Sequence, residues 1–294
     1  MVFRTIAELV ERCVAENKKI SEVMIETEIY QSGRNREEVW KLMDDNLTIM
    51  EQAVKRGIVE EERSRSGLTG GDAVLLQRYL KEKEPLSGRI LLDAVSKSVA
   101  TNEVNAKMGT ICATPTAGSA GIVPGTLFAV APKLQATREQ MIRYLFTSGA
   151  IGLVIANNAF ISGAAGGCQA EVGSATAMAA ASMVEMAGGS PQQSAEALSI
   201  AMKNLLGLVC DPVAGLVEAP CVKRNAMGAA LAMTAADMAL AGIKSIIPAD
   251  EVIETMYQIG CSMPSSLRET ALGGLAATPT GKEHERRIFG SLKD

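Results

Sequence analysis

The sequence predicts a mainly α-helical fold in which glycine-rich loops connect the helices. Apolar residues recur at helical spacing, and Ile6, Leu9 and Val10 are the first example. Helix-start signals are a second basis, since Ser190-Pro191 combines an N-cap residue with a proline at the first helical position. Alternating β-branched segments, which would indicate strands, are nearly absent.

Three helices are predicted in the first eighty residues. Thr5 and Glu8 form a capping-box pattern at the start of the first helix. A second helix runs from about residue 21 and stops at Gly33, and Asn35 with Glu38 opens a third that ends near residue 57. Residues 1–80 are therefore predicted to form a helical region that packs on the rest of the chain.

From residue 81 onward the composition shifts to Ala, Gly, Ser and Met. Weakly polar helices are predicted over residues 174–186, 191–206 and 226–241. Only 3% of the residues are aromatic, whereas the chain has 27 Gly and 15 Met. This composition is typical of a core in which small side chains let backbones approach closely and Met fills gaps. Residues 81–294 are predicted to form the main core, continuous with the N-terminal region.

Composition and charge exclude several classes of partner. The chain has 294 residues and a formal net charge of −4, which argues against a nucleic-acid-binding protein with a basic face. The longest charge-free run, residues 144–170, contains Asn, Gln, Ser and Gly, so it predicts a buried helix and loop and no membrane span. No secretory or lipidation signal is recognised. We expect a cytoplasmic protein with reduced cysteines.

Four segments have the composition of a functional site: residues 64–73, 105–121, 166–173 and 208–221. The first two contain small loops of hydroxyl-bearing residues and glycines, Thr69-Gly70-Gly71 and Thr116-Ala117-Gly118-Ser119. Such loops can turn several backbone N–H groups toward a carboxylate or another small anion. Neither matches a Walker A loop or a dinucleotide fingerprint. Because small Ser/Gly loops are also common where helices pack, both interpretations remain open at this point.

The six cysteines fall into two groups by position. Cys168, Cys210 and Cys221 lie at the ends of predicted elements, where a backbone bend can aim a thiolate inward. The other three, which are predicted to be buried packing residues, are Cys13, Cys112 and Cys261. Three thiolates without a nearby histidine suit an iron–sulfur cluster better than zinc. The spacing carries no local cluster signature, so ligation and simple burial both remain open.

Candidates for proton transfer are few. The single histidine, His284, lies in the charged segment 282–287 and is predicted to be solvated. Lys107 is predicted to be a polar helix residue, because nothing else in the sequence supplies a binding framework for pyridoxal phosphate. The sequence therefore offers no convincing general base of its own.

At these segments the sequence strongly resembles the α chain of the two-chain bacterial iron–sulfur L-serine dehydratases. The matching stretches are residues 64–73, 105–125, 166–173, 208–221 and 263–274. The resemblance implies a helical catalytic domain around an oxygen-sensitive [4Fe-4S] cluster that is held by Cys168, Cys210 and Cys221. It implies a lyase of amino-acid catabolism and gluconeogenesis that converts L-serine to pyruvate and ammonia. The fourth iron would act as a Lewis acid on the leaving hydroxyl.

The resemblance also implies how substrate and partner are bound. The expected substrate contacts are Ser66, Thr69, Gly70, Thr116, Gly118 and Ser119. The family has a separate β chain, or a fused β domain, with a His-containing motif. Since this chain has one histidine, the base is expected from the β chain of a heterodimer. Some single-chain relatives end in a cysteine that reaches the open iron. This sequence ends Gly-Ser-Leu-Lys-Asp, so we expect water on that iron at rest, with Cys112 or Cys261 as the alternative ligands.

Three alternatives are compatible with the residues. The first is a lyase of the same chemistry that acts on threonine or cysteine, because the sequence does not define the size of the pocket. The second is an electron-transfer iron–sulfur protein, which would have four protein ligands and no need of anion-binding loops. The third is a helical scaffold without a metal.

Overall fold

A computed structural model describes residues 2–290, and in these residues the predicted mainly α-helical fold is confirmed. The helices are α1 (Ile6–Ala15), α2 (Ile20–Ser32), α3 (Arg36–Gly57), α4 (Asp72–Glu82), α5 (Arg89–Ala106), α6 (Ile122–Lys133), α7 (Arg138–Asn158), α8 (Gly163–Gly166), α9 (Ser174–Met186), α10 (Pro191–Lys203), α11 (Cys221–Leu240), α12 (Ala249–Ser262) and α13 (Pro279–Phe289). An isolated bridge pairs Cys210 with Arg268. Residues 291–294, which include the chain end without a cysteine, lie outside the described residues.

The helix starts follow the capping signals of the sequence. The side chain of Asn35 accepts the N–H of Glu38, whose carboxylate accepts the N–H of Asn35, so α3 begins with a complete capping box. Ser190 and Gln193 form the same arrangement at the start of α10. Before α1 only half of the capping box forms. The side chain of Thr5 accepts the N–H of Glu8, but the carboxylate of Glu8 accepts the N–H of Arg4 and not that of Thr5.

The helix ends depart more from the prediction. Helix α9 has the predicted bounds, whereas α10 ends at residue 203 and not at 206. Helix α11 begins at Cys221, which was expected at the end of an element, and so starts five residues before the predicted stretch 226–241. The early start places Cys221 in the first turn of a long helix.

The largest core contains residues from both sides of residue 80. Leu9 and Leu47 are fully buried in one cluster with Tyr144, Phe146 and Leu198. Helix α9 lies at the centre, since its residues 174–185 are all buried. A division of the chain at residue 80 stays a prediction. Within residues 2–290, no helix has both the length and the apolar composition needed to cross a bilayer.

Helices α3 and α5 touch at Gly57, the last residue of α3. A Cβ added to Gly57 would overlap the carbonyl of Ala100 and lie 2.7 Å from the Cα of that residue. The contact is with backbone, which cannot move aside cheaply. We expect Gly57→Ala to lower the free energy of unfolding by about 1–3 kcal/mol, as overpacking does.

Urea unfolding followed by circular dichroism measures this effect, and α7 offers a matched control. A Cβ added to Gly149 would meet nothing within 4 Å. Gly149→Ala is therefore expected to raise the free energy of unfolding by about 0.5–1 kcal/mol, because alanine favours the helix. Equal effects of the two substitutions would contradict the close packing at Gly57.

Candidate metal and substrate site

A sharp break between two helices positions Cys168. Helix α8 ends at Gly166, and the next residue, Gly167, has a φ of 76°, which lies in the region that favours glycine. A π-helical turn over Gln169–Gly173 follows and leads into α9. Such turns are frequent at functional sites. The side chain of Cys168 is buried between these elements, with 2% of its surface exposed.

Cys210 lies in an extended segment that pairs with residues 267–269. Its N–H donates to the carbonyl of Leu267 at 2.8 Å, and its carbonyl accepts the N–H of Glu269 at 2.7 Å. Its thiol lies against Gly163, where an added Cβ would come within 2.7 Å of Cys210 Sγ. The missing side chain of Gly163 therefore leaves room for the sulfur.

Cys221 is the first residue of α11 and is also buried. Its carbonyl accepts a hydrogen bond from Asn225 Nδ2 at 3.0 Å, and the same amide group donates to the carbonyl of Gly118 at 2.7 Å. Asn225 Oδ1 accepts the N–H of Gly121 at 3.2 Å. Asn225 therefore ties the second candidate loop to the helix that carries Cys221.

Two of the three cysteines meet a carboxylate in a group that can hold a metal ion. Ligand atoms of Cys168, Cys210 and Glu171 all lie within 4.8 Å of one another, and the three residues are buried. The hydrogen bond between the two thiols raises the pKa of Cys210 and lowers that of Cys168. Burial raises the pKa of Cys221, and the charge of Cys168 adds to the effect. Negative charge on all three sulfurs thus requires a compensating cation.

Glu171 is held between the Thr116 loop, Gly163 and the cysteines. Its Oε1 accepts a hydrogen bond from Thr116 Oγ1 at 2.7 Å, and it also accepts the backbone N–H of Gly163. A Cβ on Gly118 would lie 3.2 Å from both carboxylate oxygens. Burial raises the pKa of Glu171, and the charge of the neighbouring Glu269 raises it further.

A buried ion pair places positive charge beside Cys168. Arg224 Nη1 donates to Cys168 Sγ at 3.5 Å and to the carbonyl of Val209 at 2.8 Å. Its Nη2 lies 2.8 Å from Oδ1 of Asp211, which is 3% exposed. Oδ2 of Asp211 accepts the N–H of Leu275 at 2.7 Å. Because Asp211 is fixed in this way, the guanidinium is held where it stabilises a thiolate.

The serines of the first loop contact a carboxylate near Cys221. Ser64 Oγ and Ser66 Oγ donate to Oε2 of Glu218 at 2.5 and 2.7 Å. Glu218 is buried, and its carbonyl accepts the N–H of Val222 at the start of α11. The loop over residues 64–73 therefore lies against the segment that leads to Cys221.

The Thr69-Gly70-Gly71 loop holds a carboxylate of the protein itself. The N–H groups of Asp72 and Ala73, at the start of α4, donate to Glu103 at 2.9 and 3.3 Å. Thr69 Oγ1 lies 3.5 Å from the same carboxylate, which is fully buried. The anion at the start of α4 is thus the carboxylate of Glu103, a side chain from α5. The assignment of Thr69 and Gly70 to the substrate stays a prediction.

The other cysteines lie in different surroundings. Cys13 is buried in the largest core, as predicted. Cys112 is half-buried, and its thiol donates to the carbonyl of Asn46 at 3.5 Å. The expected burial of Cys261 is wrong, since this residue is exposed on α12.

The two residues considered for proton transfer, His284 and Lys107, are more buried than the sequence suggested. His284 is half-buried in α13, a helix that packs against the turn Val213–Gly215 between two of the cysteines. The side chain of Lys107 is only 6% exposed, and its Nζ lies 2.9 Å from Glu60 Oε2. Lys107 therefore forms a buried ion pair with Glu60 at the C-terminal end of α5.

Sequence reasoning missed the charged residues around the thiols. Glu171 and Asp211 lie inside two of the segments that the sequence singled out, and Arg224 lies one helical turn after Cys221. A charged residue within three positions of each candidate ligand was the available signal. Ser119 was singled out, and its Oγ donates to the carbonyl of Thr114 at 3.0 Å.

Comparisons with known proteins identify the family of this chain. Residues 15–276 match the family model described as serine dehydratase alpha chain. A probable L-serine dehydratase alpha chain of Bacillus subtilis is 66% identical over 289 residues, which cover 98% of this chain and 96% of the relative. The L-serine dehydratase alpha chain of Peptoniphilus asaccharolyticus is 42% identical, over 97% of this chain and 98% of that protein. An L-serine dehydratase of Escherichia coli is 37% identical over 93% of this chain but 61% of its own length. This chain belongs to the serine dehydratase alpha chain family.

Proposed function

We propose that this chain is the cluster-binding half of an L-serine dehydratase that converts L-serine to pyruvate and ammonia. The observation that carries the proposal is the arrangement of Cys168 and Cys210 beside Glu171, with Cys221 on the adjoining helix and the Thr116 loop against the same carboxylate. The serine dehydratases named among the relatives support serine as the substrate.

The residues present fit a [4Fe-4S] cluster held by Cys168, Cys210 and Cys221. All three thiols are buried, and each comes from a different element of the chain. Gly163 leaves space beside Cys210 Sγ, and Arg224 supplies positive charge at Cys168. When bound, the cluster supplies a Lewis-acidic iron for the leaving hydroxyl of serine.

The carboxylates of the site suit the α-ammonium group of an amino acid. Oxygens of Glu171 and Glu269 lie 2.9 and 3.2 Å from the position that a Cβ on Gly163 would take, and the sulfur of Cys210 lies 2.7 Å from the same position. Thr116 Oγ1 donates to Glu171 and so holds that carboxylate in one orientation. Substrate binding here would bring the ammonium group between the two carboxylates. Thr116, Gly118 and Ser119 would then line one side of the substrate.

The first loop would lie on the other side of the same site. Ser66 is half-buried and donates to Glu218, while Thr69 Oγ1 lies 3.5 Å from the carboxylate of Glu103. In this proposal Ser66 contacts the substrate directly. The burial of Glu171, Glu218 and the three thiols excludes water from the reacting atoms and strengthens each charge interaction.

The proposal includes a β chain that supplies the base for the α-proton. The alpha-chain names of the relatives imply a companion subunit, and the Escherichia coli relative extends well beyond the region that matches this chain. His284, the only histidine of the sequence, lies in α13. A cytoplasmic heterodimer with one shared active site is the arrangement that we propose.

Addition of L-serine to the anaerobically reconstituted chain with its β chain tests this function. We expect the EPR spectrum of the reduced cluster to change on addition of L-serine, and pyruvate and ammonia to form in equal amounts. A larger change and faster turnover with L-threonine or L-cysteine would identify a lyase for those substrates. A spectrum that no amino acid alters would indicate an electron-transfer protein and contradict the proposal.

A further inference from the structure

The buried donor group formed by Cys168, Cys210 and Glu171 has the dimensions of a site for one metal ion. Its ligand atoms lie within 4.8 Å of one another. Zn²⁺ binds sulfur at about 2.3 Å and carboxylate oxygen at about 2.0–2.2 Å. Two ligands of one ion are therefore separated by at most about 4.6 Å, twice the longer bond. The separations in this group, which are within 4.8 Å, are therefore close to those that one ion would impose on its ligands.

This group of residues differs from the set of proposed cluster ligands. Glu171 belongs to it, whereas Cys221 does not. A single ion at this place would therefore use two of the three cysteines and a carboxylate, and it would leave a fourth position for water. The donor set consists of two thiolates and one carboxylate oxygen, with no imidazole among the three. Such a set suits a thiophilic divalent ion.

Charge and burial favour an ion at this place. Cys168, Cys210 and Glu171 are all buried, and the carboxylates of Glu171 and Glu269 both approach Gly163, where an added Cβ would lie 2.9 and 3.2 Å from their oxygens. Arg224, whose Nη1 lies 3.5 Å from Cys168 Sγ, offsets one of these charges, but it is also paired with Asp211. Buried groups of like charge destabilise one another unless a cation lies between them.

We propose that the cluster-free chain binds one thiophilic divalent ion of the Zn²⁺ type through Cys168, Cys210 and Glu171. Each thiol releases its proton to solvent when its sulfur binds the ion. Because two of the ligands are shared with the cluster, the bound ion excludes cluster assembly until it is removed. This inference concerns the chain without its cluster, and it does not depend on the identity of the amino-acid substrate.

Competition with a chromophoric zinc chelator tests the site on the full-length apo chain under anaerobic conditions. We expect one Zn²⁺ per chain, and a loss of affinity of about tenfold or more in Glu171→Gln. Cys168→Ser is expected to lose at least as much. Cys221→Ser is expected to bind Zn²⁺ as the unmodified chain does, and so is Cys261→Ala, which removes an exposed thiol.

Loss of Zn²⁺ affinity in Cys221→Ser equal to that in Cys168→Ser would overturn the proposal, because the ion would then use the three cysteines. X-ray absorption of the zinc-loaded unmodified chain provides a second measurement that does not depend on the folding of a variant. Two sulfur ligands per zinc are expected, and three would contradict the proposal. Pyruvate formation by the cluster-loaded chain with its β chain is measured separately, so failure of the serine dehydratase proposal is distinguished from failure of this one.

Discussion

Replacement of Cys168, Cys210 or Cys221 by alanine is expected to abolish both the cluster and the formation of pyruvate from L-serine. Each thiol is buried, and each is fixed by its own backbone element: the π-helical turn, the extended segment paired with residues 267–269, and the first turn of α11. Removal of one ligand leaves two thiols for an anionic cluster. No neighbouring cysteine is placed to substitute, because Cys112 contacts Asn46 and Cys261 is exposed.

Two measurements check this expectation. The first is the visible absorbance of each variant after anaerobic reconstitution, and the second is its activity in the presence of the β chain. Cys261→Ala is the matched control and should retain full absorbance and activity, since its thiol lies on the surface of α12. Cys13→Ala should also retain both the absorbance and the activity, because Cys13 packs in the largest core and is not part of the group of metal-ligating side chains. A cluster retained in any of the three ligand variants would contradict the ligand assignment.

The reconstituted chain without its β chain is expected to form pyruvate at a rate lower by about 10²–10⁴-fold, the usual contribution of a general base. Three of the carboxylates around the site already accept hydrogen bonds, and Glu269 is proposed to bind the α-ammonium group of the substrate. Glu171 accepts from Thr116, Glu218 accepts from Ser64 and Ser66, and Glu103 accepts backbone N–H groups of α4. The α-proton of serine therefore needs a base from outside this chain.

Assay of each chain alone and of the mixture, after the same reconstitution, measures this dependence. Full activity should return when the two chains are combined, and the β chain alone should be inactive because the three cysteines are on this chain. His284→Gln provides the internal control, since it removes the only histidine of this chain and should leave the activity of the mixture unchanged. Full activity from this chain alone would contradict the shared active site.

Local signals predicted much of the fold because helix starts depend on a few neighbouring residues. Asn35 with Glu38 and Ser190 with Gln193 form the capping boxes that start α3 and α10. The helix predicted over residues 226–241 begins five residues too late, although Cys221 itself is predicted at the end of an element; Pro220, which precedes it, makes no capping hydrogen bond.

The site could be predicted only in part, because its contacts join distant parts of the chain. Cys168 and Cys210 are separated by many residues, and their approach depends on how α8, the π-helical turn and the extended segment pack. No spacing in the sequence encodes that Glu103 fills the start of α4 or that Arg224 reaches Cys168. The resemblance to a family identified the three cysteines as cluster ligands, whereas the charged side chains around them could be identified only from the structure.

The content of iron and acid-labile sulfide in the anaerobically purified chain tests the central claim most directly. If Cys168, Cys210 and Cys221 hold a [4Fe-4S] cluster, about four irons and about four sulfides should be found per chain. The same analysis of Cys221→Ala should find neither. A chain that contains no iron and sulfide, but that forms pyruvate from L-serine with its β chain, would contradict the account.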